Sequence, residues 1–264
     1  MKNFLNISDL SSQELRRIIE EAKARKSKRK DLNKSAADFD HPFIGKSMVM
    51  IFEKPSTRTR ISFDIATKQL GGSSIILNPD VIHYGKGDES IKDTAKVLSE
   101  YADIIMMRTS LHKNLIEFAK YSKIPVINGL SEQSHPCQIM SDIFTFEEEK
   151  GNIKGKTIAW LGDGNNNMSN SFIEAAAKFD FKLNIACPDK YKPSKNIMLW
   201  AKKNKANITI TKNPAEAVKN VDCVMTDKWV SMNDKVDKKK KKRILKNFQV
   251  NKKIMKLAKS DAIF

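Results

Sequence analysis

Short apolar runs alternate with amphipathic stretches along most of the chain. Ser47 to Phe52 is a continuous apolar run of strand length, and residues 57–70 place their apolar positions at helical spacing. The same pairing recurs with strands over 74–77, 103–107 and 125–128, each followed by a helix, over 90–101, 112–121 and 136–150. A second series begins with a strand over 156–161 and a helix over 167–179. Strands over 182–186, 207–210 and 222–225 follow, with a helix over 194–203 and a short one from Pro214. Two lysine-rich helices lie before and after Asn251, and Ala262-Ile263-Phe264 reads as the start of another buried strand. Strands that alternate with helices argue for parallel sheets covered by helices.

The charged stretch Glu147-Glu148-Glu149-Lys150-Gly151-Asn152 ends in a helix stop and separates the two series. The expected fold is therefore α/β in two domains, 1–148 and 149–264, each a parallel sheet covered by helices. Near the N-terminus the chain runs straight into a helical pattern, whose start is marked by a capping box of Ser11 and Glu14.

Composition narrows the function classes. The net charge of +17 raises the question of nucleic acid, yet the lysines are spread along the chain. The dense clusters, Lys23 to Lys30 and Lys238 to Arg243, have no interleaved aromatics for base stacking and read as solvated helix faces. A positive field also attracts anionic substrates. Cys137, Cys187 and Cys223 are too dispersed for a disulfide framework or a zinc site. No apolar run is long enough for a membrane span, and no leader pattern is visible, so the expected location is the cytoplasm.

Five segments carry chemistry. Phe52-Glu53-Lys54-Pro55-Ser56-Thr57-Arg58-Thr59-Arg60 is a strand end, a proline turn and a helix start. A first helical turn has unpaired N–H groups and a positive dipole end, and here Ser56, Thr57 and Thr59 add hydroxyls while Arg58 adds a planar fork. That is a phosphate cradle. His135-Pro136-Cys137-Gln138 opens a helix with proline at its first position, so His135 and Gln138 stand one turn apart and can reach one ligand. Arg108 follows a buried strand, at the end of the sheet where ligands bind in open α/β folds. Leu161-Gly162-Asp163-Gly164-Asn165-Asn166-Asn167 lies between strand and helix. It lacks the third glycine of a dinucleotide fingerprint, and its asparagines suit a small carboxylate better. Finally, Asp227 and Ser231, in Thr226 to Met232, follow a strand and offer a carboxylate and a hydroxyl to an amino group. Each segment has a plainer reading as a helix cap or surface polar residue.

Together these segments resemble the aspartate/ornithine carbamoyltransferase family, over nearly the whole chain. S-T-R-T-R followed by H-P-x-Q is that family's carbamoyl-phosphate signature. Gly162-Asp163, Asn166-Asn167-Met168 and the segment from Asp227 to Met232 look like its ornithine branch, without the arginine motifs of the aspartate branch. The resemblance implies two α/β domains with the site between them. It implies transfer of a carbamoyl group from carbamoyl phosphate to L-ornithine, with no cofactor and no metal. It assigns carbamoyl phosphate to Ser56, Thr57, Arg58, Thr59, Arg108, His135, Gln138 and His83. Ornithine falls to Asn167, Asp227, Ser231 and Met232. Catalytic roles fall to Arg108, His135 and Asp227. It further implies a homotrimer, with the loop from Ile82 to Ser90, including His83, reaching a neighbouring subunit. Lys228, Asn233 and the spacing of Gly85 to Ser90 depart from the usual pattern, and the family's H-C-L-P segment is expected after Phe264. Alternatives are a carbamoyltransferase for another amine such as putrescine, and a non-catalytic carbamoyl-phosphate-binding remnant.

Overall fold

The structure is a computed structural model and describes residues 2–78, 89–230 and 237–264. Two compact units divide at Cys137 and Gln138. Each is built on a four-stranded, all-parallel sheet.

In the first unit the strands are β1 (Ser47–Phe52), β2 (Ser73–Leu77), β3 (Ile104–Arg108) and β4 (Val126–Leu130), in the spatial order β2-β1-β3-β4. The helices are α1 (Ser12–Lys28), α2 (Thr57–Gln69), α3 (Ile91–Tyr101) and α4 (His112–Tyr121). Central strands in a parallel sheet are covered on both faces, which is why β1 reads as an unbroken apolar run. Val49, Ile51, Ile105, Met107 and Val126 pack with Ala95, Leu115 and Phe118 on one face. Met48, Met50, Phe52 and Met106 form the other, against Phe43 and Phe63. Burial of each such side chain contributes about 1.5–3 kcal/mol.

The N-terminal segment departs from the sequence reading. Before α1 begins, Phe4 pairs in parallel with Ile127 of β4, with its N–H on the Val126 carbonyl and its carbonyl on the Asn128 N–H, both at 2.9 Å. A buried sheet edge must find partners for its backbone groups, and this strap supplies them. The capping box at Ser11 and Glu14 is present.

The helix α5 (Pro136–Lys150) spans the division, and from Gln138 on it belongs to the second unit. Its strands are β5 (Thr157–Leu161), β6 (Lys182–Ala186), β7 (Ile208–Thr211) and β8 (Cys223–Thr226), in the order β7-β6-β5-β8. The helices are α6 (Asn167–Phe179), α7 (Lys195–Lys203), α8 (Pro214–Val218), α9 (Lys238–Leu245) and α10 (Lys252–Met255). Ile263 pairs beside Cys223 at the free edge of β8, as a strand start would, but Phe264 is exposed rather than buried.

The two units share an anchoring device. Asp103, just before β3, accepts the Ser47 N–H at the foot of β1 at 2.8 Å. Asp222, just before β8, accepts the Thr157 N–H at the foot of β5 at 2.9 Å. Each carboxylate satisfies a strand-end donor and fixes the register of the pair whose far ends carry the site segments. No helix among the described residues is long and apolar enough to cross a membrane.

Candidate functional site

The carboxyl ends of β1 and β3 bring the S-T-R-T-R segment and Arg108 together. Ser56 is extended and precedes α2 without a side-chain capping bond, so the plain cap reading does not account for its hydroxyl. Arg108 donates from Nη1 to the Thr59 hydroxyl at 3.2 Å. Its Nε is buried with no hydrogen-bond partner among the described residues. Burial, and then the charge of Arg58, lower the Arg108 pKa. Two guanidiniums thus stand beside the start of a helix, a combination that favours an anion.

Glu53 was not singled out from the sequence, though it stands inside the quoted motif. Its backbone N–H donates to the Arg108 carbonyl, and its Oε2 accepts the Ser110 N–H, both at 2.9 Å. Glu53 therefore holds the chain at Arg108 and two residues beyond it, and ties the end of β3 to the turn that starts α2. Arg60, the last residue of the motif, points elsewhere. It stacks over Phe52 at 5.0 Å and donates to Asn78 at 2.7 Å.

His135 enters from the turn between β4 and α5. A buried polar network shapes that turn. His112 Nδ1 and the Ser131 hydroxyl lie 2.7 Å apart, the Ser131 N–H donates to the Ser134 carbonyl, and Asn128 donates to the Leu5 carbonyl. These buried hydrogen bonds restrict the turn, although the Asn128 Oδ1 is buried with no hydrogen-bond partner among the described residues. His135 itself is pushed down to about 4, by burial first and by Arg108 second, so its ring is neutral at pH 7. Cys137 is pushed up to about 12 by burial, which makes it an inert thiol.

In the second unit, the turn after β5 is closely held. Asp163 Oδ1 accepts the Asn165 N–H at 2.8 Å, and the Asp163 carbonyl accepts the Trp160 indole at 2.9 Å. Gly164 donates to the Tyr191 carbonyl at 2.9 Å, and a Cβ there would meet that oxygen at 2.9 Å and Cys187 Sγ at 3.0 Å, so no larger residue fits. Asn166 caps α6 with Ser169, which places Asn167 half-buried at its first position. At the end of the neighbouring strand, the Thr226 hydroxyl donates to the Leu161 carbonyl at 2.7 Å. The half-buried Asp227 accepts the N–H of Lys228 at 2.7 Å.

Gln138 is exposed on the first turn of α5 and donates to Asp142 at 2.9 Å. Asp142 is a carboxylate that the sequence reading passed over as one polar position of a helix. Burial pushes it up to about 6, opposed by the Gln138 bond and aided by the negative charge of Asp227. The lysine run from Lys238 to Arg243 also needs correction as a solvated face. Lys241 is buried and paired with Asp163 at 2.6 Å. His83, Ser231 and Met232 lie outside the described residues.

The comparisons agree with one another. The family description "Aspartate/ornithine carbamoyltransferase, carbamoyl-P binding domain" matches residues 2–148, and "Aspartate/ornithine carbamoyltransferase, Asp/Orn binding domain" matches 154–264. The chain is 51% identical over 263 residues to an ornithine carbamoyltransferase of Rhodopseudomonas palustris, covering 100% of this chain and 83% of that one. It is 47% identical over 264 residues to that of Brucella ovis, covering 100% and 82%. Among solved structures, the ornithine carbamoyltransferase of Pyrococcus furiosus superposes with a TM-score of 0.91 at 38% identity, covering 100% of this chain and 83% of that one. The anabolic ornithine carbamoyltransferase of Campylobacter jejuni gives 0.88 at 38% identity, with 100% and 85% covered. With both halves matched and such relatives along its whole length, the chain belongs to the aspartate/ornithine carbamoyltransferase family.

Proposed function

We infer that this protein transfers the carbamoyl group of carbamoyl phosphate to the δ-amine of L-ornithine, giving L-citrulline and phosphate. The observation that carries the reading is Arg108, a guanidinium tied to Thr59 of the S-T-R-T-R turn and facing the charge of Arg58. In this assignment Ser56, Thr57, Arg58 and Thr59 hold the phosphate, joined by His83. Arg108, His135 and Gln138 contact the carbamoyl end. Asn167 and the Met232 backbone receive the ornithine carboxylate, and Asp227 and Ser231 its α-amine. Residues 1–148 then form the carbamoyl-phosphate-binding domain and 149–264 the ornithine-binding domain.

The neutral δ-amine attacks the carbonyl carbon, the C–O bond to phosphate breaks, and one amine proton passes to the departing phosphate. Negative charge develops on the carbonyl oxygen and on the departing phosphate. Arg108, Thr59 and neutral His135 act on the first, where each preorganised donor is worth about 2.7–4 kcal/mol. The Arg58 turn acts on the second. Asp227 orients the acceptor through its ammonium group. A neutral imidazole suits this role because it can donate a hydrogen bond without adding a third cation beside Arg58 and Arg108.

A homotrimer in the cytoplasm is the matching assembly and location. Support for self-association comes from β2, an edge strand whose Ile75 and Ile76 are exposed, and from an exposed Ile61 on α2. The test is citrulline formation by purified protein from labelled carbamoyl phosphate, with putrescine as a parallel acceptor. Ornithine should be the strongly preferred acceptor. Putrescine turnover equal to that of ornithine would overturn the acceptor assignment.

A further inference from the structure

Within the Lys238–Arg243 run, Lys241 differs from its neighbours, which are exposed, in being only 4% accessible. Its ammonium donates to Asp163 Oδ2 at 2.6 Å and lies 5.2 Å from the centre of the Tyr191 ring. Asp163 is itself 8% accessible and holds Asn165 with its other oxygen. Tyr191 in turn accepts the Gly164 N–H through its carbonyl. Helix α9, the segment ending at Tyr191 and the end of β5 thus converge on the turn 162–165, two residues before Asn167.

A buried ion pair is a poor source of net stability, because removing two charges from water costs about as much as their attraction returns. Well-packed apolar residues would hold the fold as firmly. What the pair supplies is shape and charge. The start of α6 carries the positive end of a helix dipole, which favours an anion there. An uncompensated Asp163 carboxylate so close by would oppose that anion. Lys241 cancels it, and the dry surroundings leave little screening to do the same work.

We propose that Lys241 is a positioning residue for the acceptor's α-carboxylate: paired with Asp163, it fixes the turn 162–165 and keeps the start of α6 electropositive. The inference rests on the reading of Asn167 as a contact to that carboxylate.

The probe is L-norvaline, which is ornithine without its reacting amine, titrated calorimetrically in the presence of carbamoyl phosphate. Lys241→Met should weaken norvaline binding by about tenfold, while carbamoyl phosphate, titrated separately, keeps its affinity. Lys241→Met combined with Asp163→Asn leaves no unpaired charge, and should fold even where the single variant does not. Its norvaline affinity should return to within about threefold of the parent. Asn167→Ala serves as the reference variant. Norvaline binding that is weakened in Asn167→Ala but unchanged in Lys241→Met overturns the role of Lys241 alone. Unchanged binding in both overturns the Asn167 assignment and the inference with it. Equal loss of both ligands in Lys241→Met, or a double variant as weak as the single one, also overturns it.

Discussion

Arg108 and Thr59 lie 49 residues apart in sequence, yet Arg108 Nη1 donates to the Thr59 hydroxyl at 3.2 Å. The bond joins the end of β3 to the first turn of α2, and Glu53 reinforces it from the backbone side. Burial lowers the pKa of Arg108, and the like charge of Arg58 lowers it further. Two like charges held together in this way favour the entry of an anion between them.

The first prediction follows from that geometry. Arg58→Ala removes the exposed member of the pair and its charge-assisted bonds to phosphate. Carbamoyl-phosphate binding should weaken by about 2–4 kcal/mol. Titration calorimetry reads this directly, and unchanged affinity would remove Arg58 from the phosphate site. The fold should be unaffected, because the Arg58 side chain is exposed and takes no part in the core.

The second prediction concerns pH. His135 is held near 4 by burial and by Arg108, against about 6.5 in an unfolded chain. The unfolded state therefore binds the extra proton between those two values. Stability contributed by the neutral ring is fully present above about pH 6.5 and is lost as pH falls towards 4. Imidazole nitrogen shifts followed by NMR should show a neutral ring at pH 6. A ring that titrates between pH 6 and 7 would contradict the mechanism, which needs a neutral donor there.

Asp142 gives the opposite sign. Its carboxyl is raised to about 6, chiefly by burial, from an ordinary value of 3.8. Between those values the folded state holds the proton and the unfolded state does not. Stability therefore falls as pH rises through this window, and stays reduced above it. Asp142→Asn keeps an acceptor for Gln138 and removes the charge. The variant should be more stable than the parent above pH 7, by about 1–3 kcal/mol, and the gain should vanish near pH 4. Thermal melts at the two pH values check this.

The elements most legible in the sequence are those buried on both faces. The run Ser47–Phe52, short, apolar and followed by a proline turn, reads as a central strand, and helices such as Pro136–Lys150 and Asn167–Phe179 declare their starts through proline and asparagine caps. Arg108 and the S-T-R-T-R turn are each legible as strand-end segments, but their meeting rests on β1 and β3 being neighbours, an order that the alternation of strands and helices does not fix. What stayed hidden depends on pairing over distance. Nothing local distinguishes Lys241 from Lys240, since only the facing Asp163 makes one of them a core residue. Phe4 shows no strand pattern, because one bridge does not need an alternating run. Glu53 and Asp142 were passed over for a similar reason, as each acts through a partner that lies elsewhere in the fold or one helical turn away.

The last prediction separates the two half-sites. Asp227 stands after β8, half-buried, with Oδ1 on the Lys228 N–H. It is also close enough to Asp142 for its charge to raise that carboxyl. Two carboxylates in one neighbourhood favour a cation, and the α-ammonium of an amino acid is the cation that the proposed reaction presents. Asp227→Ala removes the carboxylate proposed to bind that ammonium. Ornithine turnover should fall by at least about a hundredfold, since a charge-assisted contact to an orienting group is worth roughly 1.5–3 kcal/mol and misplacement of the reacting amine adds to it. Carbamoyl phosphate should bind nearly as before, because its proposed phosphate ligands Ser56 to Thr59, with Arg108, belong to the other unit, and Gln138, in the same unit as Asp227, keeps its bond to Asp142. The same change also relieves Asp142, so the pH at which Asp142 titrates should move down. Steady-state citrulline assays, carbamoyl-phosphate calorimetry and carboxyl titration by NMR read these three outcomes independently. Turnover that survives nearly intact would show that the acceptor's amine is held by some other group.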